Sequence, residues 1–150
     1  MIKRKSRRKK HVNATKVRYD NIDFQSKLEM YAYKEFKKEG IPAVYEKRSI
    51  QLIEPFVDPS PFYKVFGKSN VSERTSNVQG TIFTPDFEDS LNNPHYGFFI
   101  EIKGRRNESF PMRIKLFRLW RKRNGVNKDY FELSNEREIQ QAIAIIKQNL

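Results

Sequence analysis

The sequence predicts an α/β (α+β) fold, a mixed β-sheet of about four strands flanked by helices in the order α-β-β-β-α-β-α. Helical periodicity appears in three separated stretches, and short apolar segments of strand character lie between them. The 150 residues suffice for one domain with a real core and are too few for two. The expected layout is a disordered basic arm at 1–20 followed by a single domain at 21–150, without internal repeats.

Asp23 can cap a first helix that runs to about Glu39 and is stopped by Gly40-Ile41-Pro42. Phe24, Leu28, Tyr31, Ala32 and Phe36 recur at helical spacing and predict its buried face. Glu29 falls at the edge of that stripe, roughly 140° around the helix from Phe24 at about 100° per residue, where it can look into a cleft. Glu35 lies closer to the middle of the stripe and rivals Glu29 for any such role.

Ala43 to Ile53 has strand character, with Val44, Ile50 and Leu52 on one parity and Tyr45 and Ile53 on the other; Glu54-Pro55 ends it. The stretch onward to about Gly80 holds Pro55, Pro59, Pro61, Gly67 and a Ser/Asn-rich run without sustained period. It predicts an inserted loop at about 55–80, with a short ordered piece at Phe62 to Phe66. Thr81 to Phe87 and Tyr96 to Lys103 read as two β-segments joined by the turn formers Asn92-Asn93-Pro94. Pro111 to Arg123 predicts a strongly basic helix that turns Met112, Leu116, Leu119 and Trp120 inward. Tyr130 to Leu133 predicts a short strand. Ser134 or Asn135 then caps a last helix in which Ile139, Ala142, Ile143 and Ile146 repeat at i, i+3, i+4 and i+7.

The formal charge is +12, from 30 Lys and Arg against 18 Asp and Glu. Lys3, Arg4, Lys5, Arg7, Arg8, Lys9 and Lys10 crowd into the arm, and setting those seven aside leaves a body that is still basic at +5. Nucleic acid is therefore the first partner to consider, with the arm gripping phosphates. The absence of Cys excludes disulfides, thiol catalysis and thiolate zinc sites, and two His, His11 and His95, cannot build an imidazole-rich metal site. Any bound metal must rely on oxygen ligands, which favours Mg²⁺ or Mn²⁺. Nothing resembles a secretory segment or an apolar run near 18 residues, so a soluble cytoplasmic protein with no membrane partner is expected.

Two short acidic islands stand out in this basic chain, Thr84-Pro85-Asp86-Phe87 and Phe99-Ile100-Glu101-Ile102-Lys103-Gly104. The first delivers Asp86 at a strand end. The two-residue period of the second puts Glu101 and Lys103 on one face, with Ile100 and Ile102 turned into the core. Hydrolysis of a phosphodiester needs a partly deprotonated water and stabilisation of charge on the phosphorane and leaving oxygen, which one or two divalent metals can supply. Asp86 and Glu101 fit as the central ligands, with the main-chain carbonyl of Ile102 beside them and Glu29 serving a second metal directly or through water. Lys103 can orient the water or offset charge developing on the phosphate. Arg105 and Arg106 would place guanidinium forks beside it. The same residues could instead form a salt bridge of Lys103 with Asp86 or Glu101 on a solvated sheet face.

At these residues the chain resembles the PD-(D/E)xK nuclease superfamily, and more closely the phage endonuclease I family of Holliday-junction resolving enzymes. The resemblance rests on Leu28-Glu29, on Gly40 before a strand containing Tyr45-Glu46, on Phe83-Thr84-Pro85-Asp86-Phe87 and on Phe99 to Gly104, and it covers roughly residues 24 to 123. It implies a restriction-endonuclease-like core, catalytic roles for Glu29, Asp86, Glu101 and Lys103, and Mg²⁺-dependent cutting of branched DNA by a homodimer. The chain departs from the family pattern between Ile53 and Gly80, where it is longer. In the family that region joins the two composite active sites of a domain-swapped dimer, so the swap stays open here.

Three functions compete. A structure-selective endonuclease would bind a junction through the arm, Arg105, Arg106 and the basic helix with Arg113, Lys115, Arg118, Arg121, Lys122 and Arg123. A restriction-like or mismatch-nicking nuclease would use the same chemistry with a preference for base sequence. A non-enzymatic nucleic-acid-binding protein would use the acids only structurally.

Overall fold

The structure, a computed structural model, describes residues 15–66, 70–90, 94–104 and 109–150. Ten strands and three helices follow one another in these residues. They are β1 (Val17–Tyr19), β2 (Ile22–Phe24), α1 (Lys27–Lys38), β3 (Ala43–Tyr45), β4 (Ile50–Ile53), β5 (Phe56–Phe66), β6 (Asn70–Val78), β7 (Thr81–Phe83), β8 (Phe87–Asp89), β9 (Phe98–Ile102), α2 (Phe110–Arg123), β10 (Asp129–Leu133) and α3 (Glu136–Asn149). The protein is thus mixed α and β, and its largest sheet is a four-stranded one ordered β10-β9-β8-β3. In it β9 and β10 run parallel, whereas β8 is antiparallel to both β9 and β3. No described helix is long and apolar enough to cross a membrane.

All five residues of β9 are buried, as expected of a central strand covered on both faces. Its alternation divides the core in two. Phe98, Ile100 and Ile102 join Phe87, Leu133, Phe36 of α1 and Ile139, Ala142, Ile143 and Ile146 of α3 on one side. Phe99 points the other way, to Phe117 of α2, Ile50 of β4 and Phe83 of β7. Helices α1 and α3 therefore cover one face of the sheet, while α2 and the β4–β7 pair cover the other.

Helix ends follow local chemistry. Gly40 and Gly125 have φ of +68° and +61°, a region that costs glycine little. Each closes its helix with paired bonds: Gly40 N to Lys37 O and Ile41 N to Phe36 O for α1, Gly125 N to Lys122 O and Val126 N to Arg121 O for α2. Ile41 and Val126 then pack into the two cores. Asn135 caps α3 by accepting from Glu138 N at 3.0 Å, and the expected apolar stripe of that helix is its buried face.

Several sequence expectations are corrected. Strand β1 begins at Val17, inside the segment expected to be a disordered arm. Helix α1 starts three residues later than Asp23 would place it, with Ser26 as N-cap, because Phe24 ends a short antiparallel hairpin and reaches the core from there. The single strand expected over Ala43 to Ile53 is two, separated by Glu46 at φ +44°. Thr81 to Phe87 likewise splits into β7 and the start of β8, in different sheets. The expected loop at 55–80 is a long antiparallel hairpin, β5 with β6. Pro59 and Pro61 fall where its register shifts between Asp58 and Phe62, the kind of position at which a strand tolerates proline. In α2 the buried residues are Phe110 and Phe117, while Met112 and Leu119 are exposed. Ring contact with Phe99, Phe83 and Tyr130 fixes Phe117 inward and rotates the helix away from the expected stripe; Trp120 stacks on Phe117 at the core edge.

Candidate active site

Phe87 pairs with Ile100, so Asp86, one residue earlier, arrives beside Glu101 at the end of the β8–β9 ladder. The Ile102 N–H donates to Asp86 Oδ2 at 2.5 Å, and Asp86 O accepts from Glu46 N at 2.9 Å. Backbone and side chain of Asp86 are therefore both pinned. Glu101 lies two residues beyond Phe99 on the α2 face and is 4% exposed. Lys103 follows on the same face, with Nζ 3.0 Å from Glu101 Oε1 and 5.3 Å from the centre of the Phe110 ring. Glu101 Oε2 is buried without a hydrogen-bond partner among the described residues.

Burial pushes the Asp86 carboxyl up to about 8, and the neighbouring charges of Glu101 and Glu29 push the same way; the Ile102 N–H and Lys103 oppose them. Burial also raises Glu101, against the Lys103 ammonium, while Glu29 adds to the rise and Arg113 of α2 pulls down. Among the described residues, three acids thus share one poorly solvated region with one close ammonium.

Glu29 is placed by its own helix turn. Ser26 accepts from Glu29 N at 3.1 Å, and the Glu29 carboxylate reaches back to Ser26 Oγ at 2.7 Å and Gln25 N at 3.0 Å, a capping box written in the sequence as Ser-x-x-Glu. Tyr45 Oη donates to Glu29 Oε2 at 2.7 Å, and burial holds this phenol strongly toward its neutral form. Glu29 is consequently buried and oriented, with most of its acceptor sites occupied. Glu35 is instead turned toward α3, where Gln140 Nε2 donates to it at 2.8 Å, and it takes no part in the group.

Among the described residues no three acidic or imidazole side chains are gathered closely enough to hold a metal ion. Asp86 is turned onto the Ile102 amide and Glu29 onto its cap, while the strand register brings Asp86 beside Glu101 at the end of β9, where Ile102 also lies. These are hard oxygen donors, and the partnerless Glu101 Oε2 is the atom that a hard cation would satisfy.

Of the expected DNA-contacting residues, Lys115, Arg118, Lys122 and Arg123 are exposed on α2 and Arg113 is half-buried toward Glu101. Arg121 is not free for such a role: its Nη2 donates to the Lys128 carbonyl and its guanidinium lies 5.9 Å from the Phe117 ring. Lys3, Arg4, Lys5, Arg7, Arg8, Lys9, Lys10, Arg105 and Arg106 lie outside the described residues.

Ser-x-x-Glu is a local signal for the role of Ser26, whereas no pattern around Tyr45 marks its bond to Glu29. A second charged group stands on the same sheet. Glu88 and Asp89 are 2% and 3% exposed, and both bond Lys128 Nζ, at 2.9 and 2.7 Å. Arg48 grips Glu88 with Nε at 3.0 Å and Nη2 at 2.9 Å, and Phe98 N donates to Asp89 Oδ1 at 2.9 Å. Glu132, half-buried, stands across the parallel ladder from Glu101 and so faces the same way.

The chain belongs to the family described as Protein of unknown function (DUF1064), which matches residues 8–137. No curated protein and no solved structure matches it.

Proposed function

We propose, for this member of a family without an assigned activity, a metal-dependent endodeoxyribonuclease that cuts branched DNA. The reading places its four-stranded sheet as a restriction-endonuclease-like core and its site with that of the phage endonuclease I type of PD-(D/E)xK nuclease. The observation that carries it is the convergence of Asp86, Glu101 and Lys103 at one sheet end, with two carboxylates pushed upward by burial and one buried oxygen left without a partner among the described residues. An arrangement that costs stability in this way is characteristic of functional sites.

Asp86, Glu101 and the Ile102 carbonyl would hold Mg²⁺, or Mn²⁺ in its place, with Glu29 serving a second ion directly or through water. A divalent cation supplies, when bound, acidification of water and compensation of charge on the phosphate. The chain's own groups do the rest. Glu101 keeps the Lys103 ammonium at the site, where it can give a proton or hydrogen bond to an oxygen of the reacting phosphate. The Ser26 and Tyr45 hydroxyls fix Glu29 as an oriented acceptor. Phe110, Phe99 and Phe117 limit water behind Glu101 and strengthen each charge interaction there. The exposed cations of α2 bind flanking phosphates, and a homodimer would bring two such sites to the two arms of a junction.

The test is incubation of the wild-type chain and its Asp86→Ala and Lys103→Ala variants with a four-way junction or matched linear duplex, in Mg²⁺ or in EDTA. Cutting of the junction alone, lost in both variants and in EDTA, is the expected result. Site-specific cutting of the linear duplex would instead assign a restriction-like or nicking enzyme. DNA binding that never leads to cleavage would assign a non-enzymatic binding protein, in which the Glu101–Lys103 pair is only structural.

A further inference from the structure

The turn between β3 and β4 is stitched, residue by residue, to the segment that carries Asp86. Glu46 N donates to Asp86 O at 2.9 Å, Lys47 Nζ to Asp89 O at 2.8 Å, and Ser49 Oγ lies 2.7 Å from Thr84 Oγ1. Arg48 supplies the remaining bond, the two-nitrogen fork on Glu88. Four consecutive residues thus hold the chain from Thr84 to Asp89, which ties Arg48 and Asp86 to one segment.

The fork also fixes where the guanidinium stands. Glu88 pairs with Phe99, and Lys128, which bonds Glu88, lies with its Nζ 5.1 Å from the Phe99 ring. Glu88 is therefore on the Phe99 face of the sheet, the face of Glu101, and diagonal neighbours of this kind are about 7–8 Å apart. The Glu88 side chain is 3% exposed, whereas that of Arg48 is 48% exposed. The guanidinium is anchored from below and open above. Two of its five N–H donors are spent on Glu88, and the others remain for a second acceptor.

A surface arginine ordinarily loses considerable rotamer freedom when it grips a phosphate. Here the carboxylate has already imposed that order, and the planar fork can still offer an outer edge to an anion. A further cation suits this place, because Lys103, the close ammonium among the described residues, is already engaged with Glu101. We propose that Arg48 is a phosphate-binding residue of the site, held by Glu88 so that its outer N–H groups grip the DNA phosphate next to the one being cut. This rests on the nuclease reading above, with Arg48 touching substrate and Glu88 acting as its positioning residue.

The experiment measures affinity of the full chain for a four-way junction in Ca²⁺ between 50 and 200 mM salt, with cleavage in Mg²⁺ followed in parallel. Arg48→Met should weaken binding roughly tenfold at 0.1 M salt and lower the slope of log K against log salt by about 0.9. Arg48→Lys should keep the slope while weakening binding severalfold, since the charge stays and the fork is lost. Glu88→Gln should likewise keep the slope. If Arg48→Met does not fold, the double variant Arg48→Met/Glu88→Met, which removes the charges together, should show the same fall in slope. A folded variant without Arg48 that retains wild-type affinity and slope overturns the proposal, and does so without touching the nuclease reading if wild type still cuts. A fall in slope in Arg48→Met, with a wild type that binds but never cuts, leaves Arg48 a phosphate contact and removes the catalysis. Absence of DNA binding by wild type overturns both.

Discussion

Glu88 and Asp89 are as deeply buried as Glu101, at 2%, 3% and 4% exposure, and stand with Asp86 on one sheet, yet the fold treats the two pairs of acids oppositely. Around Glu88 and Asp89 it supplies Lys128, the Arg48 fork and the Phe98 amide, so that charge and hydrogen bonds are met from several elements. Around Asp86 and Glu101 the described residues supply one amide and one close ammonium, add the field of Glu29, and leave an oxygen of Glu101 without a hydrogen-bond partner. Burying an ionised group costs several kcal/mol unless it is paired and hydrogen-bonded. The first pair therefore holds the sheet to its neighbours, and the second keeps a deficit that a cation can fill. Burial alone does not separate a structural acid from a functional one; the completeness of its partners does.

Changes at the two pairs should break in different directions. The largest effect is expected on activity at the under-compensated pair, where Asp86→Asn or Lys103→Met should lower metal-dependent cleavage by about 10²- to 10³-fold. Asp86→Asn should at the same time raise the melting temperature of the metal-free protein, since a half-buried carboxyl beside other acids is replaced by a neutral group that still accepts from Ile102 N. Single-turnover cleavage and calorimetry check the two halves, and a fall in both would mean that Asp86 is structural.

At the compensated pair, Lys128→Met should cost about 3 kcal/mol, because it strips cationic partners from two buried carboxylates. Denaturant unfolding measures it, and a change within a few tenths of a kcal/mol would contradict the network.

The pH dependence sharpens the same contrast. With folded Asp86 titrating near 8 rather than near 3.8, the folded state binds more protons than the unfolded one between those values. Metal-free stability should then decline as pH rises from about 4 to about 8 and level off above, with Glu101 contributing in the same direction. Thermal melts in EDTA across this range should show the decline in wild type and a shallower one in Asp86→Asn. The smallest change is expected from Ser26→Ala, which removes the N-cap of α1 at a cost of about 1 kcal/mol and releases one oxygen of Glu29. Unfolding of this variant beside wild type checks it.

Legibility in the sequence followed burial. The stripe Ile139, Ala142, Ile143, Ile146 and the cap before it specify α3 because one face of that helix meets a core and the other meets water. Strand β9 was legible because a short, nearly continuous apolar run suits a strand buried on both faces, and its two-residue period gave the shared face of Glu101 and Lys103. The β5–β6 hairpin was not: Phe56 and Val57 at its base are 51% and 67% exposed, so no buried face imposes alternation there, and its prolines imitate a loop. In α2, Phe110, Ile114 and Phe117 form a stripe at i, i+4 and i+7 as regular as the Met112 one, and only contact with Phe99 and Phe83 selects between them.

By itself, then, the sequence determined the local facts: a basic chain without thiols, the central strand with its alternating Glu101 and Lys103, the Pro-Asp end before it and the last helix with its cap. The tertiary structure alone decided that Asp86 folds back onto the Ile102 amide, that Tyr45 holds Glu29, and that Glu88 and Asp89 are paired by Arg48 and Lys128, 40 and 39 residues distant. The reason is range. Periodicity and capping act between residues a few positions apart, whereas charge compensation in a core depends on which distant elements the packing brings within 3 Å, and no local pattern encodes that.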